Sequence, residues 1–465
     1  MSVARKLFLF GLAVQLVIAA AASASAASAS AATARAQAPW PIPVEDAALA
    51  ALIEEALSKN PDVAAARQAA LAAKQRPVQA RSLANPMVSV TYTNDGWSPS
   101  LGSMEDSNLA VMASQELPYP GKRALRGDIS SREADQVGQQ AERVKRGVAA
   151  EVKRAYSGLL LSRSLLDLIR NQEENWKQIE GVARSRYAVG QGVQQDVLRV
   201  QVEVTRIQQF QAEQEAETEI RLAEINRLVA RAPDAPLETP AQLALRPVRG
   251  EIQQFFEWAA EVSPEVSAAR LEAERGSLAI NLAKRAFKPD FSVQSAYMNR
   301  RGLPPMWQAG IGVSVPIYRK KLRAGVAEAE AQLSSSQSAI ESIRLQLRFR
   351  TQERLTQLKT TEKVARLYSE GIVPQDRMSV EAALASYQTG KVPFIAVLEA
   401  ITTLYNDRTT HLRLLANHEQ TLASLEEASL DASSAMFAGA PAAGASMSGS
   451  GAGASAGASG GMGKQ

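Results

Sequence analysis

Asn60-Pro61-Asp62-Val63-Ala64-Ala65-Ala66-Arg67 decides how this chain is read, because it returns 203 positions later as Ser263-Pro264-Glu265-Val266-Ser267-Ala268-Ala269-Arg270. At the same offset Asn85-Pro86-Met87-Val88-Ser89-Val90 meets Lys288-Pro289-Asp290-Phe291-Ser292-Val293. Further along, Leu117-Pro118 matches Val315-Pro316, Tyr187-Ala188-Val189-Gly190 matches Tyr387-Gln388-Thr389-Gly390, and Val197-Leu198 matches Val397-Leu398. A single match of this kind carries little weight. Several in one order, with a nearly constant offset, mean a duplicated unit. The two units span residues 37–250 and 251–430.

Each unit has the same internal order. A helix comes first, with Pro61 or Pro264 at its opening position and Asn60 or Ser263 as the cap. Two strands follow. Val88, Val90 and Tyr92 alternate with Ser89, Thr91 and Thr93, and Leu109, Val111 and Ala113 alternate with Ala110, Met112 and Ser114. The second unit repeats this with Phe291, Val293, Ser295 and Tyr297, then Ile311, Val313, Val315 and Ile317. Period-two segments of about ten residues, apolar on one face and small or polar on the other, suit a barrel wall between lipid and water. A half-buried soluble hairpin has the same pattern.

A very long helix then follows in each unit, over about 123–186 and about 320–367, with no proline in either stretch. Val148, Val152, Ala155, Leu159, Ser162, Leu166 and Ile169 keep the 4,3 spacing of coiled-coil packing. Some sixty residues at about 1.5 Å each give a rod of roughly 90–100 Å. The rods turn near Gly190-Gln191-Gly192 and Gly390-Lys391-Val392-Pro393 and return as second helices.

The ends of the chain read differently. Arg5 and Lys6, the apolar run Leu7 to Ala20 and the small residues up to Ala36 form a secretory signal peptide over 1–36. The run is too short for a comfortable membrane helix. Residues 431–465, rich in Ala, Gly and Ser, cannot bury a core and are expected to be disordered. The formal charge is +4. Arg5, Lys6 and Arg35 precede Gln37 with no acidic residue among them, so the remainder is near neutral and nucleic acid is not an expected partner. There is no cysteine, which excludes disulfides, thiolate metal sites and cysteine nucleophiles.

Two hairpins supply four strands, too few to close a barrel without exposed edges. Several copies must share one barrel, and the helices would continue it as a tube. Gln115-Glu116-Leu117-Pro118-Tyr119-Pro120-Gly121-Lys122-Arg123, Arg186-Tyr187-Ala188-Val189-Gly190-Gln191-Gly192 and Gln195-Asp196-Val197-Leu198 are the segments in which the chain resembles the TolC-like outer-membrane efflux proteins. The resemblance covers about 45 to 427 and is closest in wording to the heavy-metal branch. It implies a mainly α fold of two tandem repeats, each helix, two strands, very long helix, helix. It further implies a homotrimer with a twelve-stranded barrel in outer-membrane lipid and an α-helical periplasmic tunnel, docked to a periplasmic adaptor and a resistance–nodulation–division pump of the inner membrane. Metal-cation efflux is the expected role. Export of drugs or other organic solutes is the alternative, and a periplasmic coiled-coil adaptor is a more distant one.

Family members narrow the tunnel with acidic rings just past the tip glycine. Asp196 and Glu399 fall in that window, while Ala396 stands where the second unit would repeat Asp196. Rings of carboxylates favour cations. The same two acids also read as solvated charges on the first turns of the returning helices. Val392 stands where some relatives carry an arginine tether, which leaves Lys391 as a substitute. Tyr187, Gly190, Gly192, Tyr387, Gly390 and Lys391 are the candidate adaptor-docking tips. No enzyme motif and no cofactor or metal site is expected. His411 and His418 are the only histidines and lie two turns apart, about 10 Å, too far for one ion. Both read as surface residues.

Overall fold

Each repeat begins with a proline-led helix that an earlier helix delivers. The structure, a computed structural model, describes residues 46–97, 107–239, 243–300 and 303–430. The signal peptide and the 431–465 tail lie outside them. Helix α1 (Ala47–Lys59) runs into α2 (Pro61–Ala73), followed by the short α3 (Arg76–Arg81). Asn60 stands between α1 and α2 and is only 2% exposed. Its Oδ1 accepts from the backbone N–H groups of Asp62 (2.8 Å) and Val63 (3.3 Å), and its Nδ2 donates to the carbonyl of Leu228 at 3.0 Å. One side chain therefore caps a helix and satisfies a buried carbonyl from another. Asn60→Ala loses the cap and leaves that carbonyl unpaired. The expected loss is about 1–3 kcal/mol, read as a lower midpoint in thermal or urea unfolding of the purified protein.

Strands β1 (Met87–Thr93) and β2 (Asn108–Leu117) form the first hairpin. In the second unit α6 (Ile252–Val262) and α7 (Pro264–Arg285) lead to β3 (Asp290–Asn299) and β4 (Met306–Ser314). Val315 and Ile317, expected to extend the last strand, lie beyond it. The four strands make one antiparallel sheet in sequence order, with β2 paired to β3 across the repeat boundary. Val90 lies opposite Val111, Val111 opposite Tyr297, and Tyr297 opposite Trp307. Among the described residues this apolar face is not packed on any core. Val88, Val90 and Ile311 are 66%, 65% and 77% exposed. A half-buried hairpin of a single chain would have buried this face. Tyr92, Tyr297 and Trp307 cluster toward the hairpin-loop end of the face, as interfacial aromatics do.

At its other end the sheet is tied to the helices. Gly121 adopts a left-handed φ of 88° where β2 turns into α4 (Lys122–Ala188). The buried Lys122 ammonium then donates to both carboxylate oxygens of Asp290 at 2.9 Å and to the Lys288 carbonyl at 3.0 Å. Asp290 also accepts the Tyr119 N–H at 2.7 Å.

Helix α4 has 67 residues, close to 100 Å at about 1.5 Å per residue, and returns as α5 (Gln194–Leu228). Of its 4,3 stripe, Val148, Val152, Ala155, Leu159, Ser162 and Leu166 are buried and Ile169 is half-buried. In the second unit the rod continues past Leu367. α8 (Arg319–Leu367), a π turn (Tyr368–Ile372) and α9 (Val373–Gln388) follow without a break, before α10 (Phe394–Glu427) returns. Pro374 explains the π turn. It has no N–H to donate and its ring would meet the carbonyl four residues back. The helix widens by one residue, and the Val373 N–H reaches the Tyr368 carbonyl instead.

One apolar cluster joins α1 and α2 to the middle of the rods, through Leu52, Val152, Leu159, Ile225, Leu228 and Leu415. Beside it lies a half-buried ionic group. Arg246 pairs with Glu419, Lys153 with Glu426, and Arg154 with Glu427 at 3.0 Å. His418 is a correction to the sequence reading, since it is fully buried with Nε2 3.2 Å from Glu362. Its immediate neighbours Asn417, Glu419 and Gln420 are polar, but Leu415 and Leu422 at i−3 and i+4 place it on the buried stripe of α10. His411 is half-buried.

Candidate functional site

The two helical hairpins end in the same turn. The N–H of Gly190 bonds the carbonyl of Tyr187 and that of Gln191 bonds Arg186. Gly390 to Tyr387 and Lys391 to Ser386 repeat the pattern. Gly190 and Gly390 have φ values of 73° and 74°. These are the paired bonds of a glycine-closed helix end, where a side chain would be strained. A Cβ at Gly192 would sit 3.2 Å from the Tyr187 backbone nitrogen, so the first tip admits little there.

The tyrosines of the two tips part company. Tyr187 is 48% exposed, whereas Tyr387 is 3% exposed. As an exposed docking residue Tyr387 is therefore corrected. Phe394, where the first unit has Gln194, meets its ring edge-on at 5.4 Å. The guanidinium of Arg186 lies over the same ring, 4.5 Å from its centre. The Tyr387 hydroxyl donates to Asp196 Oδ2 at 3.1 Å. Burial, and then the Asp196 charge, push that hydroxyl up to about 12, so it remains a donor throughout the physiological range.

This link runs from α9 to α5 and ties one hairpin to the other. Asp196 sits in the first turn of α5, where the helix dipole also favours it. Glu399 is exposed on α10, and its side chain has no hydrogen bond or ion pair among the described residues. Lys391 makes no side-chain bond there either. The arginine that reaches the tether is Arg186 from the opposite tip, which also donates to the Gln191 carbonyl at 3.0 Å. Sequence reasoning missed Arg186. Its only signal was its place one residue before the tip tyrosine. The tips rest on an apolar cluster of Trp176, Ile179, Val200, Ile207, Val397 and Ile401. Just past the π turn, Asp376 faces Asp407 on α10, and burial followed by that neighbour pushes the Asp376 carboxyl up. This acidic pair was also not anticipated.

A sheet whose apolar face stays exposed among the described residues, set at the end of long helical hairpins, is the build of a membrane channel subunit. The chain belongs to the outer membrane efflux protein family, which it matches over residues 52–231 and again over 257–429. It is 22% identical over 350 residues to the cobalt-zinc-cadmium resistance protein CzcC of Cupriavidus metallidurans, covering 75% of this chain and 82% of that protein. Its fold is similar to that of CusC, with a TM-score of 0.71 and 17% identity over 85% of this chain and 95% of that one. It is similar also to the outer membrane protein VceC of Vibrio cholerae, with a TM-score of 0.69 and 17% identity over 82% and 96% of the two chains. The protein is an efflux channel of the outer membrane, not an enzyme, with a large helical extension into the periplasm.

Proposed function

We propose that three copies of this chain form the exit duct of a tripartite pump for heavy-metal cations. The observation that carries the oligomer is the open sheet. Among the described residues β1 and β4 each leave one edge unpaired, and open edges are not tolerated in lipid. Copies joined edge to edge remove them, and three copies supply twelve strands. The helices then line a tunnel whose periplasmic mouth is held closed by the Tyr387–Asp196 bond. Asp196 and Glu399, each present three times, place carboxylates at that mouth and favour cations over anions. Tyr187, Gly190, Gly192, Gly390 and Lys391 at the tips are the docking surface for a periplasmic adaptor, which connects the duct to an inner-membrane pump of the resistance–nodulation–division type.

The likeness to a cobalt-zinc-cadmium resistance protein supports the metal cargo, as does the tip wording. Deletion of the gene should lower tolerance of at least one of cobalt, zinc, cadmium, copper and silver. Growth in a dilution series of each metal checks this. Unchanged metal tolerance together with new sensitivity to dyes or detergents would assign organic solutes instead.

A further inference from the structure

Beyond the duct itself, we infer that the junction between barrel and tunnel is a binding surface for the anionic headgroups of inner-leaflet phospholipids. Residues 315–323 read Val-Pro-Ile-Tyr-Arg-Lys-Lys-Leu-Arg, and residues 284–289 read Lys-Arg-Ala-Phe-Lys-Pro, with no acidic residue in either. Both segments lie at the helix-side ends of the strands, β4 running into α8 and α7 into β3. For a chain whose total charge is close to balanced, this is a strong local excess of one sign.

Many basic side chains on the rods are matched to carboxylates one turn away, as in Lys145–Glu142, Arg184–Glu180 and Arg206–Glu203. Others, such as Lys359, Lys363 and Arg366, have no such match among the described residues, but at the junction four unmatched cations fall within the five residues 319–323. At the junction Lys122 is held by Asp290. Arg319, Lys320, Lys321 and Arg323 are exposed and have no carboxylate partner among the described residues. Lys284 and Lys288 are likewise exposed and unmatched. Arg319 lies 5.8 Å from the centre of the Phe287 ring.

Helix stability does not account for the cluster. Arg319, Lys320 and Lys321 open α8, where the macrodipole favours anions and disfavours cations. Helices α2 and α7 begin with Asp62 and Glu265 in the expected sense. An anionic partner outside the chain turns an unfavourable placement into a favourable one.

The level of the cluster identifies that partner. Val315, Ile317 and Tyr318 lead into it and are 63%, 67% and 75% exposed. They follow Ile311 and Val313 of the apolar face directly in the chain, on the way to the helices. A strip with apolar side chains on the membrane side and unpaired cations immediately beyond matches acyl chains followed by phosphate headgroups. Because the helices are periplasmic, the headgroups are those of the inner leaflet.

The test uses the full-length purified channel in mixed micelles of phosphatidylcholine and phosphatidylglycerol in equal amounts, followed by analysis of the lipid that stays bound. The junction variant is Arg319→Gln/Lys320→Gln/Lys321→Gln/Arg323→Gln. The charge-matched control is Arg344→Gln/Lys359→Gln/Lys363→Gln/Arg366→Gln on the rod. Wild type and control should retain phosphatidylglycerol over phosphatidylcholine by on the order of tenfold, and the junction variant should lose most of that preference. An equal preference in the junction variant, or none in wild type, overturns the inference. So does full displacement of the lipid by inorganic phosphate, which would make the cluster a simple anion site. Conductance of the same preparations in a neutral bilayer reports on the channel separately, so a failed lipid result is not confused with a failed channel.

Discussion

Asp196→Ala should raise the single-channel conductance of the purified channel, by moving its mouth from mostly closed toward open. The bond it removes joins a buried phenol to a carboxylate, and bonds to charged groups contribute about 1.5–3 kcal/mol. Each loss of that size shifts a closed-to-open ratio roughly 10- to 100-fold. Tyr387→Phe removes the same bond but keeps the ring that Arg186 and Phe394 grip, so it should act in the same direction while leaving the acidic charge in place. The two variants therefore divide the tether from the selectivity. Both should open the channel, and Asp196→Ala alone should weaken cation preference. Adding Glu399→Ala, which breaks no bond within the chain, should lower cation preference further with little change in opening. Planar-bilayer recording under a salt gradient reads both quantities. If conductance and reversal potential stay at wild-type values in Asp196→Ala, the carboxylate is only a solvated helix-end charge.

The second large effect concerns neighbours in one strand. Val111 and Met112 differ by one position and so point to opposite faces of the sheet. Val111 sits on the exposed apolar face between Val90 and Tyr297. An arginine there costs about 2–4 kcal/mol if it lies near the bilayer midplane, and each copy in the assembly bears the cost. Val111→Arg should abolish heat-stable oligomers and membrane integration. Met112→Arg, between Ser89 and Ala296 on the polar, small-residue face, should still assemble and change conductance. Gel analysis of unheated membrane extracts checks both. Equal tolerance of the two arginines would remove the lipid-wall reading of this face.

Much of this molecule can be read without coordinates, because its signals are local and periodic. Asn60-Pro61 and Ser263-Pro264 open helices through the chemistry of one side chain and one ring, wherever they lie in a fold. Alternation in β1 to β4 and the 4,3 stripe from Val148 to Ile169 survive because a strand or a coiled coil repeats its environment every few residues. The duplication multiplied these signals and brought the chain within reach of its family.

What the tertiary structure alone decided are the places where the repeats stop being equivalent. Tyr187 and Tyr387 occupy matching positions, yet one is exposed and the other buried, because Phe394 and Arg186 close on the second and, among the described residues, nothing equivalent closes on the first. Arg186 acts on the opposite hairpin, 201 positions away, and no pattern of spacing announces a contact of that kind. The leucines at i−3 and i+4 already place His418 on the buried stripe of its helix, but its partner Glu362 comes from a separate helix and no spacing announces it. Even the role of the apolar face of the sheet depends on what surrounds it, since alternation fixes which side chains share a face but not whether protein or lipid meets them. Periodicity is a property of neighbours along the chain. Burial and the tether are properties of neighbours in space.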